Sequence, residues 1–362
     1  MATMASVARR LANQALPQMM RAVTIDNGVG PSSALRISQV PVPALEASTH
    51  DNSLLVKVKA FALNRLDLMQ REGNYPVPPG ASKILGVEFS GEVVDVGANV
   101  RAHRVGDPVM GLCAGGTYAE YVRVPASLTL RKMDELSWEQ AASIPEAYLT
   151  AFQALQVLNE QQPGDHVLVH AGASGVGLAA IQLARLLGAE KVYVTAGTPE
   201  KIEVCKSLGA TDGINYKETD WYEALMHATE QRGVDVILDF IGAPYFEKNL
   251  KALRRDGRLS LQAMMGGAEL PEGAKLARLL THRLRVTGST LRSRSLEYQG
   301  KLVEQFVQSG ALAALARGAD GSTGPDRLGL VLHRIYDWND IRLAHDEMAA
   351  NKNIGKIVAT VV

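Results

Sequence analysis

The pattern of hydrophobic and polar positions divides the chain into two regions. Over residues 20–124, short segments such as LLVKVKAF and SGEVVDVG alternate apolar with polar residues and are rich in Val. That period of two predicts antiparallel strands at residues 54–61, 90–97 and 117–124. One helix is expected at residues 64–72. Residues 76–80 are too rich in Pro to form a regular element.

Beyond residue 145, buried apolar runs alternate with helical ones. Strands are expected at residues 166–171, 191–195, 213–216, 234–240, 257–263 and 284–290. Six strands with helical crossovers predict a doubly wound parallel sheet with right-handed connections, an α/β fold. A helix (337–350) and a strand (356–361) follow. We expect them to return to the first region, because six strands already complete a dinucleotide-binding sheet.

These patterns predict two domains, which suits a chain of 362 residues. An extension covers residues 1–19. A β-rich domain covers residues 20–145 and is completed by residues 292–362. The parallel-sheet domain is inserted between them, at residues 146–291.

Composition excludes several classes of function. Lys plus Arg equal Asp plus Glu, at 38 each, so no net field attracts nucleic acid or an anionic membrane, and small-molecule partners are expected. No apolar run reaches the roughly 18 residues that cross a bilayer, which predicts a soluble protein without membrane insertion. Two cysteines are too few for a disulfide framework, which favours a reducing compartment such as the cytoplasm.

The first 25 residues leave the compartment open. They contain Arg9, Arg10 and Arg21, and no acid occurs before Asp26. One interpretation is a weak mitochondrial presequence, which would place the protein in the matrix. The other is a frayed extension before the first strand.

A glycine-rich turn joins the first expected strand of the parallel sheet to its helix. Within it, Gly172, Ser174, Gly175, Val176 and Gly177 form a Gly-x-x-Gly-x-Gly motif. Glycines allow a tight turn and let the backbone approach a pyrophosphate, whose charge is met by free N–H groups at the start of the helix. In the context of six such strands, the motif predicts a dinucleotide site.

The end of the second strand indicates which dinucleotide binds. An Asp or Glu there would hold the ribose 2′-hydroxyl and exclude a 2′-phosphate, but this chain has Gly197, followed by Thr198 and Lys201. A hydroxyl and an ammonium favour a phosphate monoester, which predicts NADPH as the cofactor. Glu200 is the counterargument, although we interpret it as a first-turn helix acid. Tyr216 either flanks the same phosphate or simply packs at the end of a strand.

Several motifs together resemble the medium-chain dehydrogenase/reductase superfamily, specifically its zinc-independent quinone oxidoreductase branch. They occur in the order ALNRLDLMQR (62–71), GVEFSGEV (86–93), IPEAYLTA (144–151), AGASGVG (171–177) and NKNIGKIV (351–358). The resemblance implies a GroES-like β-rich catalytic domain and a Rossmann domain that binds NADPH.

The resemblance also implies the site residues. Asn64 and Tyr75 would face the nicotinamide and the substrate. Other cofactor contacts would come from the ends of strands and from the tail: Ile241, Gly242, Met264, Met265, Gly266 and Asn353. Asn64 could instead cap a helix, Tyr75 could be a loop aromatic, and the two methionines could be core residues. Asp67, Glu88 and Glu146 are interpreted as structural, which leaves Tyr75 or water as the proton source.

The chain departs from the zinc-containing members of that superfamily. Asn64 and Val87 stand where those enzymes have Cys and His ligands, and only Cys113 occurs near the structural-zinc loop, so we expect no metal. Without a Lewis acid, quinones or activated enones, which delocalise the charge left by a hydride, are the expected substrates. Alternatives are an enoyl or alkenal double-bond reductase and a non-catalytic NADPH sensor.

The sixth strand of the parallel sheet, at residues 284–290, predicts how the chain assembles. An edge strand leaves N–H and C=O groups unpaired, and natural proteins cover such edges. In the superfamily that this sequence resembles, the corresponding strand pairs with its two-fold mate. The expectation is therefore a homodimer.

Overall fold

Two large β-sheets and a separate two-stranded sheet organise the computed structural model, which describes residues 16–46, 48 and 51–362. The suggested presequence, at residues 1–19, lies almost wholly outside that range. The first half of the chain provides these strands: β1 (Met19–Ile25), β2 (Leu35–Pro41), β3 (Ser53–Ala62), β4 (Glu88–Val96), β5 (Pro108–Leu112), β6 (Tyr121–Pro125) and β7 (Thr129–Arg131). All the pairings among them are antiparallel, as predicted.

The strand expected at residues 117–124 begins only at Tyr121. Residues before it bond to other parts of the chain: the Tyr118 carbonyl accepts from the Val23 N–H at 2.8 Å, and the Glu120 N–H donates to the Arg21 carbonyl at 3.0 Å. The alternation of apolar and polar residues continues through residues 117–120, but the backbone of this segment bonds to β1 instead of extending β6.

The second sheet contains six parallel strands: β8 (His166–Val169), β9 (Lys191–Ala196), β10 (Asp212–Asn215), β11 (Val234–Asp239), β12 (Leu253–Leu261) and β13 (Arg285–Gly288). Their spatial order is β10-β9-β8-β11-β12-β13, which confirms the doubly wound sheet. The order reverses between β8 and β11. Ligands of such sheets bind beside this reversal, at the carboxyl ends of the strands.

The last two strands, β14 (Leu332–Asp337) and β15 (Lys356–Thr360), return to the first half of the chain. β15 pairs antiparallel with β3 and parallel with β14, giving a sheet in the order β14-β15-β3-β4-β5-β7, with β6 also on β3. The final strand therefore belongs to the same sheet as β3, β4, β5 and β7.

Helices connect and cover the two sheets. They are α1 (Arg65–Arg71), α2 (Trp138–Ala142), α3 (Pro145–Phe152), α4 (Gly175–Leu186), α5 (Pro199–Ser207), α6 (Trp221–Ala228), α7 (Phe246–Ala252), α8 (Ala277–Thr281), α9 (Leu296–Gln308), α10 (Ala311–Arg317) and α11 (Ile341–Ala349). None of the helices in the described ranges is both long and apolar enough to cross a membrane.

One apolar core joins the two domains. Met110 and Leu112 of β5 belong to the same buried cluster as Leu149 of α3, Val169 of β8 and Leu178 of α4. Because these side chains exclude water together, the junction between the sheets is a packed interface, and residues beside it are held in fixed positions.

Candidate active site

Lys356, the first residue of β15, lies at the centre of a buried polar cluster. Its ammonium donates to Glu88 Oε1 at 2.6 Å, to Asn64 Oδ1 at 2.7 Å and to the Leu63 carbonyl at 2.9 Å. The Asn64 amide in turn donates to the same Glu88 oxygen at 2.8 Å. The three side chains form a closed triangle of hydrogen bonds, which fixes the orientation of the Asn64 amide.

Asn64 also begins α1. Its backbone N–H donates to Asp67 Oδ2 at 2.8 Å, so Asp67 caps the helix start, while the Asn64 side chain turns toward Lys356 and Glu88. The sequence left open whether Asn64 caps a helix or faces the substrate. The structure places its backbone in a cap and its side chain in the polar cluster.

Two further carboxyl groups lie around this triangle. Asp67 accepts from the Gly86 N–H at 3.1 Å and from the Tyr118 hydroxyl at 3.2 Å; burial nevertheless raises its pKa to about 6. Burial, reinforced by the negative charge of Glu88, raises the pKa of Glu146 to about 7. Lys356 and Arg292 oppose both increases.

Tyr75 lies in the irregular segment that follows α1 and is half-buried. The Arg292 guanidinium carbon is 5.6 Å from the centre of its ring. Burial and the charge of Glu146 raise the pKa of the Tyr75 phenol, and Arg292 acts against them. The phenol is therefore neutral at pH 7 and available as a hydrogen-bond donor.

Arg292 is almost completely buried, at 7% exposure. Its Nε and Nη2 donate to the Ala114 carbonyl at 2.8 and 2.6 Å, whereas Nη1 has no hydrogen-bond partner in the described part of the chain. A buried N–H of a guanidinium is costly to leave unpaired. The arrangement leaves one cationic donor free beside Tyr75.

The glycine-rich turn lies directly against the last strand. The Gly355 N–H donates to the Ala173 carbonyl at 2.9 Å, and Ser174 forms a bridge with Gly355. Ser174 begins α4, its hydroxyl accepting from the Gly177 N–H at 3.0 Å. A Cβ on Gly177 would stand 2.5 Å from the Gly172 carbonyl oxygen, so only glycine permits this turn.

The carboxyl end of β9 brings together several of the residues for which cofactor contacts are expected. A Cβ on Gly197 would lie 2.9 Å from the Tyr216 hydroxyl and 3.2 Å from Cε of Lys217. Lys201, one turn into α5, donates to the Asn351 carbonyl at 2.9 Å; burial and the nearby charge of Lys217 lower its pKa. Two ammonium groups and a phenol thus converge where an acid would exclude a 2′-phosphate.

The remaining predicted residues occupy the ends of the neighbouring strands. Gly242 follows β11 with a φ of +87°, and a Cβ there would meet the Gly267 carbonyl oxygen at 2.7 Å. Ile241 accepts at its carbonyl from the Gly266 N–H at 2.8 Å. Met264 and Met265 are about half exposed, which argues against their being core residues. Asn353 donates to the Gly355 carbonyl at 2.9 Å, beside the glycine-rich turn.

Three polar residues of this region were not found by sequence reasoning: Lys356, Arg292 and Lys217. Lys356 stood in the motif NKNIGKIV but received no role, and Arg292 follows the last Rossmann strand without a motif of its own. Lys217 could have been found as the residue after Tyr216, at the end of the third strand.

The described ranges contain no group of three or more His, Cys, Asp or Glu residues arranged to hold a metal ion. Cys113 and Cys205 are both buried as free thiols, and burial raises the pKa of each to about 12. Both thiols are therefore protonated at neutral pH, which makes them poor nucleophiles and poor metal ligands.

Two protein families match the sequence. Residues 50–134 match the alcohol dehydrogenase GroES-like domain, and residues 175–308 match the zinc-binding dehydrogenase family. The first span covers β3 to β7, and the second covers β9 to β13.

Related proteins match along most of this chain. The synaptic vesicle membrane protein VAT-1 homolog of Mus musculus is 31% identical over 87% of this chain and 78% of its own length. Polyketide synthase GfsB of Streptomyces halstedii is 33% identical over 91% of this chain, which spans only 5% of that protein.

Solved structures give the same result. The quinone oxidoreductase of Coxiella burnetii is 30% identical, with a TM-score of 0.73 over 95% of this chain and 100% of its own. A mycobacterial protein solved in complex with NADPH is 30% identical, with a TM-score of 0.79 over 94% and 100%. The expected GroES-like and Rossmann domains are confirmed, and the chain belongs to the medium-chain dehydrogenase/reductase superfamily as an oxidoreductase of that type.

Proposed function

We propose that the protein is an NADPH-dependent quinone oxidoreductase that works without a metal ion. The observation that carries this proposal is the Arg292 guanidinium 5.6 Å from the centre of the Tyr75 ring, in a region where Asn64 and Val87 stand at the positions of zinc ligands. Similar structures include quinone oxidoreductases and one complex with NADPH. We further propose that the chain belongs to the branch of the tumour-suppressor-inducible NADPH quinone oxidoreductase, whose motifs its own resemble.

The preference for NADPH is supported by the charges at the end of β9. Lys201 and Lys217 lie near Gly197 and the Tyr216 hydroxyl, and no carboxylate occupies the strand end. A 2′-phosphate would be attracted by two ammonium groups and could accept from the phenol. The glycine-rich turn and the start of α4 would hold the pyrophosphate.

When bound, the reduced nicotinamide supplies a hydride. The chain's own contribution is to stabilise the charge that the acceptor then carries. The Tyr75 hydroxyl donates to the developing oxyanion and its ring offers a flat stacking surface, while Arg292 adds a positive charge behind the ring. The Asn64 amide, fixed by Lys356 and Glu88, orients the groups that face the substrate.

This charge stabilisation favours acceptors that delocalise the negative charge. Quinones do so best, and activated enones are the second candidate because the same phenol would meet an enolate oxygen. Simple ketones and alcohols lack such delocalisation and would need a Lewis acid.

The protein is further proposed to be a homodimer formed through β13. Val286 of that strand is 39% exposed, and Leu280 beside it is 83% exposed. Among the residues that the structure describes, β13 pairs only with β12, which leaves its other edge available to a second copy of the chain.

Steady-state oxidation of NADPH with a panel of quinones, enones and alcohols tests the function. The variant Y75F keeps the ring and removes the donor, so kcat should fall about 100-fold while the Kd for NADPH stays constant. S174V should instead weaken NADPH binding by crowding the glycine-rich turn. Y222F, which alters a half-buried tyrosine on α6, is the matched control. Wild-type kcat in Y75F, with folding verified by thermal melts, would contradict the oxyanion role.

A further inference from the structure

Glu146 differs from the other carboxyl groups of the buried cluster in its access to solvent. It is the second residue of α3, and its backbone N–H donates to Glu88 Oε2 at 2.8 Å, which sets it directly against the cluster. Asp67 and Glu88 have no exposed surface, whereas Glu146 is only partly buried. Of the three carboxyl groups, Glu146 alone can exchange a proton with water.

The three carboxyl groups are unequally supplied with hydrogen-bond donors. Glu88 has the Lys356 ammonium, the Asn64 amide and a backbone N–H. Asp67 has two backbone N–H groups and a phenol. In the described part of the chain, the Glu146 carboxyl receives a single long contact, from the Thr150 hydroxyl at 3.4 Å. Because donors stabilise the charged form, Glu146 is the carboxyl least able to stay ionised.

The groups that face Glu146 come from every element around it. Asp67 of α1 and Glu88 of β4 bring negative charge, and Lys356 of β15 and Arg292, before α9, bring positive charge. The charge of Glu146 in turn helps to raise the pKa of the Tyr75 phenol, which belongs to the loop after α1. With all three carboxyl groups ionised, the two cations would leave one negative charge uncompensated. A proton retained in the cluster removes that charge.

We propose that Glu146 is the proton donor that resupplies Tyr75 during substrate reduction. This role rests on the proposed function and adds the proton source that it lacked. The acceptor takes up a hydride and becomes an oxyanion. The Tyr75 O–H bond then breaks as an O–H bond forms on the substrate, the carboxyl proton of Glu146 restores the phenol, and the Glu146 carboxylate takes a proton from water.

The pH dependence follows from the protonation of Glu146, whose pKa is raised to about 7. The carboxyl holds its proton below that pH and loses it above. We therefore expect kcat to be constant below pH 7 and to fall as the pH rises through 7. The variant E146Q keeps the shape of the side chain and carries no transferable proton. We expect it to lower kcat about 100-fold and to abolish the fall above pH 7, with the Kd for NADPH unchanged.

The experiment compares the wild type, E146Q, E146D and E139Q. E139Q removes a first-turn acid from the neighbouring helix α2 and should behave as wild type. E146D keeps a titratable carboxyl and should retain the falling limb of the pH profile. Infrared titration of the cofactor-free protein gives a readout independent of turnover: a carboxylic-acid band that disappears near pH 7 in the wild type and is missing in E146Q.

The outcomes separate this proposal from the one on which it rests. If none of the quinones or enones in the panel supports NADPH oxidation by the wild type, the proposed function fails, whatever the infrared titration shows. If the wild type is active and E146Q keeps both its rate and its pH profile, the role of Glu146 is overturned. Absence of the infrared band in the wild type would overturn it as well.

Discussion

Replacing Lys356 by Met tests whether the buried cluster depends on its ammonium. Lys356 is 7% exposed and donates three hydrogen bonds of 2.6 to 2.9 Å. K356M preserves the apolar stem and leaves Glu88, which has no exposed surface, without its counter-charge. Removing one partner of a buried ion pair costs about 3–5 kcal/mol. Because the Asn64 amide and the Glu146 N–H still donate to Glu88, we expect the lower end, about 3 kcal/mol.

The assay is the free energy of unfolding from urea titration at pH 7.5, measured as a double-mutant cycle. E88Q alone should also destabilise the protein, because it leaves the Lys356 ammonium facing only carbonyl oxygens. The double variant K356M/E88Q buries no charge at this pair. Its loss of unfolding free energy should therefore be at least about 2 kcal/mol smaller than the sum of the losses in the two single variants. K352M, at an exposed lysine of the same tail, should change stability by less than about 0.5 kcal/mol. Additive losses in the cycle would refute the reasoning.

Three further predictions concern the cofactor, the metal and the assembly. G197D should weaken NADPH binding roughly tenfold relative to NADH by repelling the 2′-phosphate, measured as the ratio of the two Kd values; equal Kd values in the wild type would contradict the preference. Prolonged chelation should leave quinone turnover unchanged, and elemental analysis should find far less than stoichiometric zinc; one zinc per chain would be evidence against the substrate argument. V286P should convert the dimer to a monomer in light scattering, and a wild type that is already monomeric at micromolar concentration would rule out the interface. The Ser289 N–H donates to the Leu261 carbonyl of β12. Because successive backbone N–H groups point to opposite sides of a strand, the Val286 N–H points away from β12, toward the open edge. Pro at position 286 therefore removes a donor at that edge without breaking the hydrogen bonds between β12 and β13.

The parallel sheet was predictable because its determinants are local. Its central strands, β8, β9 and β11, are short buried runs next to helical ones, and the turn at Gly172 to Gly177 has its own sequence pattern. The observed strand bounds differ from the predicted ones by a few residues; β12, for example, begins at Leu253, whereas the predicted strand began at residue 257. The larger error, at residues 117–120, arose because the backbone of that segment bonds to β1, about 100 residues earlier in the chain.

The polar cluster was not predictable in the same way. Glu88 and Lys356 are 268 residues apart in sequence, and Glu88 and Glu146 are 58 apart. Taken singly, each acid is well explained as a structural residue, and that was the prediction for all of them. Burial, together with the negative charge of Glu88, raises the pKa of Glu146 to about 7 against the opposing charge of Lys356, and no residue's local sequence specifies that environment.

The position of β15 explains why the last strand of the chain belongs to the site. Gly355 is bonded to the glycine-rich turn, and the side-chain stem of Lys356 covers Gly175, where a Cβ would stand 2.5 Å from Cδ of that lysine. One residue therefore has its stem on the glycine-rich turn and its ammonium on Glu88. Because the Glu146 N–H is bonded to the other oxygen of Glu88, any movement of the turn that displaces Lys356 changes the charge that Glu146 experiences. The two domains are thus coupled electrostatically through Lys356, in addition to the apolar core that they share.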